Sequence, residues 1–263
     1  ACRLCPRNCG VDRYRTAGAC GMGAELMAAR AALHPWEEPC ISVRNGAGTV
    51  FFSGCSLRCC FCQNRQISTL GCGAALTPER LGEIFMRLQD DGADCIELVT
   101  PTHFVPSILY ALDCVRHRIT VPVVYNTGGY EKLETVRSLE GYVDVFLPDI
   151  KFRSPEMSAR YCNAPDYFEF ASAAVLEMVR QTGKLVLSAD GQLLRGTLIR
   201  HLVMPKGRHG SMSILDWIAE NIPSDCRLVS IMNQYTPRPG IEKDYPELAR
   251  RVTKREYEKL INY

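Results

Sequence analysis

From residue 49 to residue 232, short apolar runs alternate with segments in which apolar residues recur every three or four positions. The runs predict buried strands, and the wider spacing predicts amphipathic helices. The predicted strands are 49–53, 95–99, 121–125, 143–147, 198–204 and 227–232. Strands that alternate with helices predict a parallel sheet with right-handed crossovers. The sequence therefore predicts an α/β fold of six β/α units, an incompletely closed or partial (β/α)6 barrel.

The predicted helices lie between these strands. Thr77 is a favourable N-cap for the helix that starts at Pro78, because proline suits the first helical position. A hairpin of 184–188 and 192–194 around A-D-G interrupts the alternation. The other helices are predicted at 104–117, 131–139, 155–161, 167–181 and 214–221.

The chain before the first barrel strand has a different character. Its Ala, Leu and Met content predicts a short linking helix at 23–32, and residues 41–44 are predicted to pair with 49–53 across N-G-A-G. Strand 49–53 leads directly to Cys55, and catalytic loops of α/β barrels follow the carboxyl ends of strands. We expect two parts, an N-terminal module with a linker (1–39) and the barrel (40–263).

Composition narrows the class of protein. The chain has 263 residues, of which 46% are hydrophobic and 23% charged, as in soluble globular proteins. A net charge of +2 gives no reason to expect nucleic acid or an anionic membrane as a partner. No apolar run is long enough to span a bilayer, and no signal-peptide hydrophobic region begins the chain.

The cysteines are the unusual part of the composition. Seven of the 14 lie in two tight clusters, which favours metal ligation in a reducing cytosol over a disulfide framework, so we expect a cytoplasmic protein. The other seven are expected to be mostly small buried hydrophobic residues. They are Cys40, Cys60, Cys72, Cys95, Cys114, Cys162 and Cys226.

The main cysteine cluster is C-S-L-R-C-C-F-C, in which Cys55, Cys59 and Cys62 have the spacing C-x3-C-x2-C. Three thiolates can hold three corners of an iron–sulfur cube, and the fourth iron is then open to a small molecule. The competing interpretations are a disulfide pair beside a buried thiol, or a zinc loop. Zinc needs a fourth ligand, and the neighbouring Gln63 and Asn64 are poor ones.

A second cluster, Cys2, Cys5, Cys9 and Cys20, lies at the start of the chain. Four thiolates can close a complete metal site and leave no position for a substrate. Structural zinc usually lies between two C-x2-C pairs, and only Cys2 and Cys5 form such a pair. Three cysteines within eight residues slightly favour a second [4Fe–4S] cluster, with zinc as the alternative.

Each later strand ends near polar residues. T-P-T-H-F follows the second strand, N-T-G-G-Y the third, and L-P-D-I-K the fourth, while R-H lies in the fifth and M-N-Q-Y ends the sixth. The carboxyl ends of parallel strands surround one cavity, so these side chains are expected to face it together. The candidates for contact with a substrate are His103, His201, Gln234 and Tyr235.

The cysteine triad with Phe61 before its last member resembles the signature of the radical S-adenosylmethionine (radical SAM) superfamily. The strand-end motifs resemble its branch of pyruvate formate-lyase activating enzyme-like iron–sulfur proteins, over nearly the whole chain from Cys2 to R-V-T-K-R-E-Y-E-K. These motifs are V-T-P-T-H-F-V-P, Y-N-T-G-G-Y-E, D-V-F-L-P-D-I-K, R-H-L-V-M-P and M-N-Q-Y-T-P. The resemblance implies a partial barrel of radical SAM type with a small N-terminal four-cysteine metal module.

The same resemblance implies an activity. A [4Fe–4S] cluster with an open iron would bind S-adenosylmethionine and cleave it to methionine and a 5′-deoxyadenosyl radical, which abstracts hydrogen from a substrate. Related activating enzymes act on a glycyl residue of a partner, so a peptide or protein substrate and a low-potential electron donor are implied. The alternatives are a small metabolite as substrate, or a non-catalytic metal-binding or electron-transfer protein.

The resemblance also assigns residues to S-adenosylmethionine. Thr100 and Thr102 stand where many relatives have a G-G-E segment that holds the methionyl ammonium; this chain lacks that glutamate. Asp149 and Lys151 match a D-x-K motif whose lysine approaches the methionine carboxylate. The remaining assignments are Phe61 near the adenine and Arg200 in contact with the cofactor. In relatives, the residues that correspond to Asn126, Thr127, Leu147 and Asp149 can build a monovalent-cation site.

Overall fold

The computed structural model describes residues 1–263. Its strands are β1 (Leu26–His34), β2 (Ala47–Phe52), β3 (Ala74–Leu76), β4 (Ile96–Val99), β5 (Val123–Thr127), β6 (Val145–Pro148), β7 (Val186–Leu187), β8 (Leu193–Leu202) and β9 (Leu228–Met232). Its α-helices are α1 (Arg65–Ser68), α2 (Pro78–Asp90), α3 (Val105–Val115), α4 (Leu133–Arg137), α5 (Pro155–Cys162), α6 (Tyr167–Thr182), α7 (Arg208–Asn221) and α8 (Lys254–Ile261). None of these helices has the length and apolar character needed to cross a membrane.

The sheet confirms the predicted fold class. Strands β2, β4, β5, β6, β8 and β9 are neighbours in that order, and every pair among them is parallel. These are the six predicted barrel strands. Antiparallel β1 and β3 extend one edge, and no pairing joins that edge to β9, so the barrel stays open. The predicted hairpin is also present, since β7 pairs antiparallel with β8.

Local sequence explains the helices that cover this sheet. The Thr77 hydroxyl accepts the Arg80 backbone N–H and caps α2, as predicted. The apolar face of α2 packs with α3 against the sheet, and its buried side chains include Leu81, Phe85 and Leu88. Burial of such large side chains contributes about 2 kcal/mol each.

Two predictions for the chain before β2 were wrong. The expected helix at 23–32 is strand β1, which pairs with β2 on one side and with β3 on the other. Two strand partners outweigh the helix propensity of Ala, Leu and Met, which is worth only tenths of a kcal/mol per residue.

Residues 41–44 do not form the expected strand either. The Asp94 carboxylate accepts the backbone N–H groups of Arg44, Asn45 and Gly46 at 2.8, 3.1 and 2.9 Å. Ile41 is buried among inward-facing side chains of β5, β6 and β8. This segment is therefore a loop that plugs the barrel, fixed by a carboxylate and an apolar anchor.

The first 25 residues contain no helix or strand. Hydrogen bonds to later parts of the chain hold them, among them Thr135 Oγ1 to the Leu4 carbonyl at 2.7 Å. The division of the chain after residue 39 stays a prediction, and β1, inside 1–39, belongs to the barrel sheet.

The scattered cysteines are less buried than expected. Cys95 and Cys162 are buried, but Cys72 and Cys114 are exposed, and the other three are intermediate. All 14 cysteines have free thiols.

Candidate functional site

Cys55, Cys59 and Cys62 lie on one loop between β2 and α1, at the carboxyl end of the first parallel strand. The loop packs on the end of α5, where the Cys60 N–H donates to the Tyr161 carbonyl at 2.8 Å. On its other side, Arg238 Nε donates to the Cys60 carbonyl at 2.8 Å. The backbone of the loop is thus fixed independently of its thiols.

The three thiols lie close enough to affect one another. Burial and the neighbouring Cys59 raise the pKa of Cys55 to about 11. Burial also raises the pKa of Cys62, against a hydrogen bond with Ser68 that lowers it. Contact with Cys162 and burial raise the pKa of Cys59. A metal that binds here must displace these protons, so its affinity depends on pH.

The chain fits an iron–sulfur cluster at this loop. Nowhere do three Cys, His, Asp or Glu side chains converge as they would around a single metal ion. A cubane spreads its thiolates over separate irons and needs no such convergence. Three mutually interacting thiols on one loop, with Lys151 lowering the pKa of Cys59 and Cys62, suit an anionic cluster.

Asp149 and Lys151, at the end of β6, form a close ion pair. Lys151 Nζ is 2.5 Å from Asp149 Oδ2, and both side chains are mostly buried. Arg200 of β8 donates from Nε to Asp149 Oδ1 at 3.0 Å. Although burial opposes it, these two cations lower the pKa of Asp149. The pair is therefore held as a charged unit at the mouth of the barrel.

The guanidinium of Arg200 also donates hydrogen bonds to residues outside β6 and β8. It donates to Asn126 Oδ1 at 2.5 Å and to Glu37 Oε1 at 3.1 Å. The Asn126 amide in turn donates to Glu97 Oε1 at 2.6 Å. Burial and the nearby Glu37 raise the pKa of Glu97 to about 8. The sequence reasoning did not identify Glu37 or Glu97.

This network bears on two assignments made from sequence. The oxygens of Asn126 and Asp149 that were assigned to a monovalent cation already accept hydrogen bonds from Arg200. The guanidinium supplies the positive charge there, and its donors are directed at protein groups. A cation site and a contact between Arg200 and S-adenosylmethionine therefore remain predictions.

The threonines divide into two positions. Thr100 has a left-handed backbone with φ of 57°, and its N–H donates to the Asn126 carbonyl at 2.9 Å, so it lies at the strand ends. Thr102 donates to Glu131 Oε1 at 2.6 Å, and Thr127 donates to the same oxygen. Burial raises the pKa of Glu131 to about 7. The hydroxyls of Thr102 and Thr127 are thus already engaged.

The two histidines lie outside the group of strand-end residues. His103 Nε2 is 2.7 Å from the Ser53 carbonyl, beneath the start of the cysteine loop. Burial lowers its pKa to about 4, so it is neutral. His201 contacts the Ile150 carbonyl through Nδ1 at 2.7 Å and Ser211 Oγ through Nε2 at 2.8 Å. This placement favours structural roles, and their contact with a substrate remains a prediction.

The two substrate candidates that follow the last strand, β9, differ in exposure. Tyr235 is buried and donates to the Leu248 carbonyl at 2.6 Å. Gln234 is exposed, and its carbonyl accepts from Gln63 Nε2 at 3.3 Å, directly after the cysteine loop. Phe61 packs edge-to-face on Phe152 with 6.0 Å between ring centroids, and a position near adenine remains a prediction.

A cleft of about 420 Å³ borders the cysteine loop. It is lined by Phe61, Cys62, Gln63, Arg65, Thr236, Pro237 and Arg238. A larger cavity of about 700 Å³ lies elsewhere, between the N-terminal residues, the start of α3 and α4. We assign the site to the smaller cleft, because Phe61 and Cys62 of the cysteine loop line it.

Tyr167 is a further residue that the sequence did not point to. Its hydroxyl accepts the Lys151 N–H at 3.0 Å and lies 2.8 Å from both the Gly128 and Asp149 carbonyls. It thereby joins the N-T-G-G loop to the D-I-K loop. Gly129, with φ of +82°, lies so close to the D-I-K loop that an added Cβ would be 2.2 Å from the Asp149 carbonyl oxygen.

Comparison with known proteins agrees with this geometry. The profile of the radical SAM superfamily matches residues 49–191. An uncharacterised protein of Methanocaldococcus jannaschii is 30% identical over 270 residues, which cover 99% of this chain and 73% of that protein.

Solved structures of Streptococcus suis SuiB share the fold. SuiB bound to S-adenosylmethionine superposes with a TM-score of 0.52 at 14% identity, over 80% of this chain and 44% of SuiB. SuiB bound to the precursor peptide SuiA gives a TM-score of 0.49 at 13% identity, over 79% of this chain and 43% of SuiB. This chain therefore spans less than half the length of the solved structures it matches.

Proposed function

Because the chain belongs to the radical SAM superfamily, we propose that it is a radical SAM enzyme whose Cys55, Cys59 and Cys62 hold a [4Fe–4S] cluster. When bound, the cluster supplies the electron that cleaves S-adenosylmethionine to methionine and a 5′-deoxyadenosyl radical, which abstracts hydrogen from the substrate. The observation that carries this proposal is the three-thiol loop beside the buried Asp149–Lys151 pair.

In this proposal the chain's own residues bind and orient S-adenosylmethionine. Lys151 attracts the methionine carboxylate, and Asp149 holds the Lys151 ammonium in place by accepting its hydrogen bond. Arg200 and Asn126 hold Asp149 from behind. The remaining contacts are assigned to backbone and side-chain groups of Phe61, Thr100, Thr102 and Thr127. A charged pair fixed before binding lowers the cost of orienting the cofactor.

We place the chain in the activating enzyme-like branch and propose a peptide or protein substrate. The cleft beside Cys62 is a surface groove with Gln63, Arg65 and Thr236 exposed along it, which suits an extended chain better than an enclosed metabolite. Gln234, at its rim, is the best-placed of the substrate candidates. A one-electron donor of low potential completes the reaction.

Cys2, Cys5, Cys9 and Cys20 form a second metal site in this proposal. With four thiols available, no coordination position is left for a substrate. This second site is therefore assigned no contact with S-adenosylmethionine.

The test is anaerobic reconstitution followed by an assay for 5′-deoxyadenosine with dithionite as reductant. Cys59→Ala should abolish the product. Cys60→Ala is the matched control, because Cys60 lies on the same loop and is held through its backbone. Product formed by Cys59→Ala, or a wild-type chain that takes up no iron, would overturn the proposal. Cleavage of S-adenosylmethionine stimulated by metabolites but not by peptides would overturn the substrate class.

A further inference from the structure

The four N-terminal cysteines are neighbours in the fold. A Cβ added to Gly18 would lie 3.4 Å from Cys9 Sγ and 3.5 Å from Cys20 Sγ, so both sulfurs border that glycine. Cys2 also lies close enough to Cys9 to affect its pKa, and Cys20 and Cys2 both affect that of Cys5. All four thiols are free, and a cubane, which spreads its thiolates over separate irons, does not need them to converge on one point.

This site has a solvent side and a protein side. Cys5 and Cys20 are each only 6% exposed, whereas Cys2 and Cys9 are partly exposed. An electron carrier could approach Cys2 and Cys9 from solvent. The opposite face of the site lies against the barrel.

On the protein side, one hydrogen bond joins the two cysteine sets. The Cys55 N–H donates to the Cys20 carbonyl at 3.2 Å. The donor belongs to a cysteine of one set and the acceptor to a cysteine of the other, so the two sets are in direct backbone contact. Gly54 permits the approach, since an added Cβ would lie 2.9 Å from the Cys20 carbonyl oxygen and 2.4 Å from Met22 Cγ.

Arg7 links the N-terminal segment to the three-cysteine loop. Its guanidinium donates to the Ser56 carbonyl at 2.8 Å and to the Cys162 carbonyl at 3.1 Å. Ser56 lies within the three-cysteine loop, and Cys162 lies against Cys59. Charge-assisted bonds of this kind are roughly twice as strong as neutral ones, so Arg7 ties the N-terminal segment firmly to the surroundings of the three-cysteine loop.

We propose that Cys2, Cys5, Cys9 and Cys20 hold a redox-active iron–sulfur cluster that delivers electrons to the cluster at Cys55, Cys59 and Cys62. The carrier loses one electron to the N-terminal cluster. That cluster is then reoxidised by one electron as the second cluster is reduced, along the Cys20–Cys55 hydrogen bond. The inference rests on the proposed function for the identity of the second cluster.

The charge around the N-terminal site indicates the kind of carrier. Between residues 1 and 22 the chain has four arginines, and Asp12 is its only acidic residue. Arg7 and Arg13 donate to protein carbonyls, whereas Arg3 and Arg15 are exposed, and Arg15 is 3.5 Å from Asp12. The exposed arginines favour an acidic one-electron carrier of low potential, for which flavodoxin serves as the probe. Attraction between exposed charges raises the association rate and weakens with salt.

The experiment follows reduction of each cluster by freeze-quench electron paramagnetic resonance in the reconstituted full chain. The signal that responds to S-adenosylmethionine identifies the Cys55 set. Reduced flavodoxin and titanium(III) citrate serve as the protein and small-molecule donors. The variants are Cys9→Ser and, as control, Cys114→Ser, because Cys114 is exposed and outside both sets.

We expect about eight irons in the wild type and about four in Cys9→Ser. Flavodoxin should reduce the responsive signal at least about tenfold more slowly in Cys9→Ser, while titanium citrate reduces it at the wild-type rate. Zinc at the N-terminal site, or an unchanged rate with flavodoxin, would overturn the relay. If Cys9→Ser does not fold, the same reduction rates are measured on Cys2→Ser. The metal content of the wild type then shows whether the N-terminal site holds iron or zinc.

The assay for 5′-deoxyadenosine with titanium citrate separates the two proposals. A wild-type chain whose N-terminal cluster passes electrons on, but which yields no 5′-deoxyadenosine, contradicts the proposed function and keeps the relay. Product formation with zinc in the N-terminal site keeps the proposed function and contradicts the relay.

Discussion

The thiol of Cys162 donates a hydrogen bond to the sulfur of Cys59, with 3.3 Å between the two sulfur atoms. Cys162 ends α5 and is fully buried, so the helix holds this group against the cysteine loop. This contact, together with burial, raises the pKa of Cys59. Once Cys59 is a thiolate, Cys162 is the remaining donor.

Cys162→Ala is therefore expected to lower the reduction potential of the cluster at Cys55, Cys59 and Cys62. A hydrogen bond to a cluster sulfur stabilises the reduced, more negative state. One bond of about 1 kcal/mol corresponds to about 40 mV for a single electron. A redox titration followed by paramagnetic resonance measures the shift. Cys162→Ser, which keeps a donor, and Cys95→Ala, equally buried elsewhere, should show much smaller changes.

Asp149→Asn is expected to destabilise the folded chain by about 3 kcal/mol, because it leaves the buried cations Lys151 and Arg200 without their carboxylate. Unfolding in urea measures the loss. Asp12→Asn is the matched control, since its ion pair with Arg15 is exposed and contributes less than about 1 kcal/mol. Equal losses in both variants would contradict the importance of the buried network.

Gly129→Ala is expected to be more damaging than Gly141→Ala. The two glycines have nearly the same φ, +82° and +83°, so the strain of a left-handed alanine, about 1 kcal/mol, is common to both. Only at Gly129 does the new Cβ meet the Asp149 carbonyl, whereas Gly141 has open space. The difference between the two unfolding free energies isolates that contact, and a difference near zero would show that the D-I-K loop moves freely.

Glu131 is expected to make stability depend on pH. Its pKa rises from the usual 4.5 to about 7 in the folded chain, so the folded state binds the proton more tightly. Its contribution is complete below pH 4.5 and is lost as the pH rises to about 7. From the size of the shift, the loss is up to about 3 kcal/mol.

Glu131→Gln removes this titration and should gain stability relative to the wild type as the pH rises. Urea unfolding at several pH values across that interval measures the gain. The exposed Glu134→Gln is the control and should follow the wild-type curve. A wild type and a Glu131→Gln variant with parallel pH curves would show that Glu131 keeps an ordinary pKa.

Periodicity was sufficient to predict the six parallel strands, because every one of them is an apolar run between helical patterns. It failed before β2, where M-A-A-R-A-A-L favours a helix locally and pairing with β2 and β3 decides otherwise. The helix α7 also starts at Arg208, earlier than the apolar spacing from Ile214 indicated.

The candidate site was predictable only where motifs lie at strand ends. Parallel strands bring their carboxyl ends together, so four predicted site residues form one hydrogen-bonded group: Asn126, Asp149, Lys151 and Arg200. Their remaining partners come from distant segments, as Glu37 does for Arg200, 163 positions away. Glu97, Tyr167 and Cys162 lack a local pattern for the same reason: their roles are set by tertiary contacts.

The hydrogen bonds between Arg7 and the end of α5 have a consequence for folding during synthesis. The four cysteines of the N-terminal set are synthesised well before α5, because the Cys162 and Asn163 carbonyls that Arg7 binds lie 155 and 156 positions after it. Thr135, which binds the Leu4 carbonyl, follows 131 positions later. Contacts this distant in sequence form late. The nascent four-cysteine segment therefore remains undocked until synthesis has passed residue 163. Until then its thiols are open to oxidation or to early metal capture.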